Sequence, residues 1–222
     1  MKEDMEMKKN LTEMVMILDR SGSMGGLEKD TIGGYNSLIA KQKAAEGDAL
    51  VTTVLFDHDI NMIFDRVSIT KVPDLTEEEY YARGTTALLD AIGSTLTHIE
   101  SAQIIAGEAE RPEKTIFMIT TDGLENASHV YNYEKVRKMI ERKQEEGWEF
   151  MFLGAGIDAI REAAKMGIGA DFASNYVGDA VGTRMVYSQM ADAICELRSA
   201  PEKKLSRKWK KNLEEDVKKR GK

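Results

Sequence analysis

Hydrophobic positions fall along this chain in two rhythms. Residues 14–18, 49–56, 115–120 and 149–153 form short, nearly continuous apolar runs. A strand buried on both faces reads this way, because neither of its alternating sides meets water. Between the runs, apolar residues recur every three or four positions. Over 87–101, Leu88, Ile92, Leu96 and Ile99 mark one buried face of a helix. Similar spacing predicts helices over about 27–45, 133–144, 157–165 and 181–197. In the last, Val181, Met185, Met190, Ile194 and Leu197 are expected to face inward. Residues 49–56 and 60–67 are split by Asp57, His58 and Asp59, which suit the polar tip of an antiparallel hairpin. A short strand near 171–176 and a last helix complete the order.

Strands alternating with helices predict an α/β fold: a doubly wound, mostly parallel sheet with helices on both faces and one antiparallel hairpin at its edge. A chain of 222 residues suits one such domain with short appendages. The expected division is an N-terminal extension over 1–11, the domain over 12–200, and a basic tail over 201–222, helical or disordered.

Charge refines this picture. The formal net charge is −7, yet residues 202–222 hold ten Lys and Arg against four acidic residues, which leaves −13 on the remainder. An acidic body argues against nucleic acid as the main partner, since phosphate binding needs a basic footprint. The tail could touch an acidic partner, nucleic acid or the acidic body of its own chain, but a solvated terminal helix is the plainer reading. Cys195 is the single cysteine, so no intrachain disulfide forms, and nothing basic is arranged in the sequence to activate it. Thirteen methionines are scattered, with Met14, Met16, Met118 and Met151 in strand-like runs, where they read as core filling. Acidic residues stand at the N-terminus where a signal peptide is apolar, and no run approaches the ~18 apolar residues of a membrane span. A cytoplasmic location away from membranes is the expectation.

The candidate chemistry lies where strands end. Open parallel sheets bind ligands outside the carboxyl ends of their strands. Asp19 ends the first apolar run and opens Asp19-Arg20-Ser21-Gly22-Ser23; Asp122 follows the run at 115–120; Arg83-Gly84-Thr85-Thr86 precedes the helix at 87. These segments can bring two carboxylates and several hydroxyls to one rim. Hard cations such as Mg²⁺ take about six oxygen ligands with few carboxylates, and this set fits them. No cluster of Cys and His offers a zinc or copper alternative.

These residues resemble a known family. Asp19-x-Ser21-x-Ser23 after a hydrophobic strand is similar to the metal-ion-dependent adhesion site of von Willebrand factor type A domains. Gly84-Thr85-Thr86-Ala87-Leu88-Leu89-Asp90-Ala91-Ile92 resembles the family's threonine-bearing loop, and Thr120-Thr121-Asp122-Gly123 its aspartate-bearing one. The resemblance covers roughly residues 12–198. It implies a non-enzymatic module in which Ser21, Ser23 and Thr86 ligate a divalent metal through hydroxyls while Asp19 and Asp122 act mostly through water. Thr86 is preferred to Thr85 for its spacing to the helix. The implied ion is Mg²⁺, with Mn²⁺ or Ca²⁺ as alternatives, and the implied partner is a protein presenting Glu or Asp.

Two other functions fit parts of the pattern. A haloacid-dehalogenase-like phosphohydrolase also places a nucleophilic Asp after the first strand, but needs a second Asp two residues later, where this chain has Ser21. A metal-free scaffold could keep the motif without the ion. Elsewhere the chemistry is thin. Asp57, His58 and Asp59 read as a hairpin tip. Gly154-Ala155-Gly156 lacks the glycines and lysine of a phosphate loop and reads as a tight turn. His98 and His129 have no visible catalytic partner.

Overall fold

The first strand, β1 (Leu11–Asp19), is buried along its whole length. It lies between β2 (Asp48–Phe56) and β4 (Lys114–Thr121), parallel to both. Beyond β4 the sheet continues in parallel through β5 (Glu149–Ala155) and β6 (Ala173–Tyr176). Beyond β2, the antiparallel β3 (Ile60–Ser68) forms the opposite edge, so the order is β3-β2-β1-β4-β5-β6. The computed structural model describes residues 10–199, 205 and 207–221; most of the expected extension, residues 1–9, lies outside them.

Helices cover both faces, and the parity of β1 assigns them. Met14, Met16 and Leu18 join one core with α1 (Glu28–Ala44) and α5 (Ala180–Ser199), through Tyr35, Leu38, Tyr187 and Met190. Val15 and Ile17 join the other, with α2 (Leu88–Ala106), α3 (Tyr133–Glu145) and α4 (Ala159–Lys165). Successive strand residues point to opposite faces, so a strand sandwiched between two helical layers needs apolar residues at every position. Met118 and Met151 sit in the same core as Met14, where they fill space. Trp148 stacks on Phe117 where β5 begins, with ring centroids 5.5 Å apart.

Three expectations are corrected. Val181 was expected to face inward, but it is 47% exposed, and the buried face of α5 runs through Thr183, Val186, Tyr187, Met190, Ile194 and Leu197. Gly182 explains the phase: a β-carbon there would lie 2.0 Å from the Val177 carbonyl oxygen, so the first turn is seated by backbone contact and Val181 turns to solvent. The helix expected over 87–101 continues to Ala106 and stops at Gly107, whose φ of 80° suits glycine. Its last turn leaves Ile105 85% exposed.

The third concerns the tail. Residues 207–221 include α6 (Lys211–Arg220), and they pack rather than float: Trp209 and Leu213 are buried in the α1/α5 core. Trp209 Nε1 donates to the Asp171 carbonyl at 3.0 Å, and Lys210 Nζ donates to the carbonyls of Ala170 and Ala173 at 2.6 and 2.9 Å. A basic composition suggested solvent; the one aromatic and one leucine at helical spacing decide the packing instead. Among the described residues no helix is long and apolar enough to cross a membrane.

Candidate metal centre

Strand order reverses between β1 and β4, whose carboxyl ends lie side by side with Leu18 opposite Thr120. Such a crevice is where ligands bind in this class of sheet. Asp19 ends β1 and is 1% exposed. Its Oδ1 accepts the Ser21 amide at 2.7 Å and its Oδ2 accepts the Thr121 hydroxyl at 2.5 Å. A short 3-10 turn over Gly22–Met24 then brings the two serines together, with their Oγ atoms 3.1 Å apart. Ser23 Oγ donates to Asp122 Oδ1 at 2.6 Å, joining the loop after β1 to the loop after β4.

The threonine doublet is separated by burial. Thr85 is exposed, whereas Thr86 is buried against the Asp122 loop. A β-carbon on Gly123 would stand only 2.7 Å from Thr86 Oγ1, so the position after Asp122 must be glycine for this hydroxyl to approach. The structure therefore brings Asp19, Ser21, Ser23 and Asp122 into one hydrogen-bonded group and sets Thr86 beside Gly123.

Electrostatics favour a cation here. Burial pushes the Asp19 carboxyl above its ordinary value, against the lowering effect of bonds from Thr121 and Ser21, and the nearby Asp122 adds to the rise. Burial likewise raises Asp122, opposed by the bond from Ser23. Two partly desolvated carboxyls bridged only by hydroxyls are what a divalent ion would relieve. All the donors are hard oxygens, which suits Mg²⁺, Mn²⁺ or Ca²⁺.

Asn126, Glu125, Ser128 and Asp90, which hold these loops, were not legible as such in the sequence. Thr86 and Asn126 pair reciprocally: the Thr86 amide donates to Asn126 Oδ1 at 2.9 Å, and the Asn126 amide to the Thr86 carbonyl at 3.1 Å. Glu125 and Ser128 accept from the Leu89 and Asp90 amides at the start of α2, while the Asp90 carboxylate accepts from the amides of His129, Val130 and Tyr131. The threonine loop and the Asp122 loop are thus one built junction. Asn126→Ala removes one bond at an exposed position; the expected result is a loss of about 1 kcal/mol in a urea titration and a several-fold weaker metal affinity by calorimetry.

The Asp57-His58-Asp59 tip also groups ligand-type atoms, all within 4.8 Å of one another. Its chemistry differs. Asp57 Oδ2 accepts Arg20 Nε at 2.7 Å and Arg83 Nε at 2.8 Å, and Oδ1 accepts the Asp59 amide at 2.8 Å. Burial works to raise its pKa, but the Asp59 amide, Arg83 and Arg20 outweigh burial and hold the carboxyl below its ordinary value. Guanidinium groups already occupy the place a cation would take. The other candidates also resolve simply. His98 Nε2 pairs with Asp65 at 2.9 Å. In the Gly154-Ala155-Gly156 turn, a β-carbon on Gly154 would crowd Ile157 and Ala159 at 2.8 Å.

Comparison with known proteins gives the fold a name. No family model matches the sequence, and no curated protein matches it. Solved structures do match. A von Willebrand factor type A protein from Catenulispora acidiphila superposes with a TM-score of 0.58 at 15% identity, over 82% of this chain and 42% of that one. Manganese-loaded TRAP from Plasmodium vivax gives 0.55 at 15%, over 79% and 72%. Proximal thread matrix protein 1 from the mussel byssus, with a zinc-occupied adhesion-site motif, gives 0.55 at 13%, over 83% and 46%. This chain spans less than half the length of the mussel and Catenulispora chains. The chain has the von Willebrand factor type A fold, with six strands among the described residues, mostly parallel, and one antiparallel edge pair.

Proposed function

We propose that this chain is a protein-interaction module that depends on a divalent metal. Ser21, Ser23 and Thr86 would supply hydroxyl ligands, with Asp19 and Asp122 acting mostly through water. Mg²⁺ is the ion this donor set suits best, with Mn²⁺ or Ca²⁺ as substitutes. When bound, the ion supplies an electrophilic position that a carboxylate from a partner protein can fill. The observation that carries the reading is the hydrogen-bonded chain from Ser21 through Ser23 to Asp122, joining two loops 99 residues apart in sequence. The metals named for the mussel and Plasmodium proteins support it.

This chain's own residues suit binding better than turnover. A nucleophilic carboxylate must present an oxygen to substrate, but Asp19 is 1% exposed, with its oxygens turned to the Ser21 amide and the Thr121 hydroxyl. The position two residues on, where a phosphohydrolase keeps its general acid, is Ser21, bonded to Ser23.

The test is capture of proteins on the immobilised chain with Mg²⁺ or with EDTA, using wild type and Ser21→Ala/Ser23→Ala. The expected result is a set of proteins lost both on chelation and in the variant. Capture indifferent to both, or turnover of p-nitrophenyl phosphate that requires Asp19, would contradict the proposal.

A further inference from the structure

We propose that Asp57 is the positioning residue of the metal centre, fixing the serine loop and the threonine loop relative to each other by holding Arg20 and Arg83 on one carboxylate. The inference rests on the metal reading above and adds a residue that contributes no ligand to it.

Arg20 stands between Asp19 and Ser21. It is almost completely buried, and its main chain, Nε and Nη1 are all hydrogen-bonded. Its amide donates to the Phe56 carbonyl and its own carbonyl accepts the Arg83 amide, both at 2.8 Å. Its guanidinium meets Asp57 at 2.7 Å and the Glu79 carbonyl at 3.2 Å. Arg83, three residues before Thr86, reaches the same Asp57 oxygen at 2.8 Å. The Tyr81 ring lies 5.5 Å and 5.7 Å from the two guanidinium carbons and covers the pair. Asp57 also works through its backbone: its carbonyl accepts the Ala87 amide at 2.8 Å, one residue after Thr86. The two loops meet again where the Gly22 amide donates to the Gly84 carbonyl at 3.1 Å. One residue on the β2–β3 tip therefore fixes the residue before Ser21 and Arg83 through its carboxylate, and the residue after Thr86 through its main chain.

An exposed ion pair in such a place would matter little. The Arg20–Asp57 pair is buried, with side-chain exposures of 3% and 0%, whereas Arg83 is 37% exposed and also reaches Asp59 at 3.1 Å. Losing Asp57 leaves two guanidiniums without their shared partner, and the loops they anchor lose their common reference. Asp57 could also act at a distance, by cancelling positive charge near the cation. The two roles predict opposite signs for Arg83: if charge alone mattered, removing that guanidinium would tighten cation binding.

The experiment is calorimetric titration of wild type, Asp57→Asn, Arg83→Gln and Asp122→Ala with Mn²⁺, well below the melting temperature of each. Asp57→Asn is expected to weaken Mn²⁺ at least tenfold, and Arg83→Gln several-fold, although the latter sheds a positive charge. Wild-type affinity in Asp57→Asn, or tighter binding in Arg83→Gln, overturns the positioning role while leaving the metal site standing. If Asp57→Asn does not fold, the sign of the change in Arg83→Gln decides alone. Wild type that binds no better than Asp122→Ala removes the metal reading, and this inference with it.

Discussion

Asp122→Ala is expected to erase the metal response of this protein while leaving it folded. Asp122 lies on a loop beyond the end of β4 and is half-buried, and its Oδ1 receives the Ser23 hydroxyl rather than a core residue. Truncating it costs the fold little. It removes one of the two carboxylates that would balance a dication, and the ion's remaining donors would be mostly neutral. An ion that binds only the folded chain stabilises it by about 2.7 kcal/mol at a hundred times its Kd. For a domain of this size that corresponds to a rise of roughly 5–10 °C in melting temperature. Wild type should show this rise with Mg²⁺ or Mn²⁺, and the variant should melt at the same temperature with metal and with EDTA. An equal rise in both would place the bound ion somewhere other than this rim.

Asp19→Asn is expected to do the reverse in the absence of metal: the variant should be more stable than wild type. Burial holds the Asp19 carboxyl above its ordinary value in the folded chain. A carboxyl raised in this way contributes to stability only while protonated, and that contribution is lost as pH rises through its folded-state pKa. Asparagine stays neutral throughout. It can still accept the Ser21 amide, and Thr121 can turn its hydroxyl to the Gly123 carbonyl, 3.1 Å away. In EDTA the advantage of the variant should therefore be small in acid and grow towards neutral pH. Each pKa unit of displacement is worth about 1.4 kcal/mol, or roughly 3–6 °C in melting temperature. With saturating Mg²⁺ the order should invert, because only wild type gains from the ion. Thermal melts across pH, with and without metal, check both halves.

The parts of this molecule that were legible in its sequence are those where one residue's environment is set by its neighbours. The unbroken apolar runs of β1, β2, β4 and β5 announced strands covered on both faces, and Asp57-His58-Asp59 announced a hairpin tip. Asp19, Ser21, Ser23 and Asp122 were legible because each sits at or just past the end of an apolar run, and the parallel sheet carries those ends to one rim. Other features depend on distant contacts. The Asp57 carboxylate looked like an ordinary tip residue because its partners lie 37 and 26 positions away. Buried Glu13 was hidden in the same way: it is answered by Arg66 and by Gln103, each at 2.7 Å, and the latter is 90 residues distant. In the tail, lysines outnumber the apolar residues, so composition pointed to solvent although Leu205, Trp209 and Leu213 are buried in the α1/α5 core. The phase of α5 turned on Gly182 against Val177, a contact that periodicity alone does not contain.

The most direct measurement is anomalous diffraction from crystals grown with Mn²⁺. The account predicts one strong peak within about 2.0–2.6 Å of the hydroxyl oxygens of Ser21 and Ser23, absent in Asp122→Ala. A peak at His58 and Asp59 instead, or no peak at this rim with saturating Mn²⁺, would contradict it.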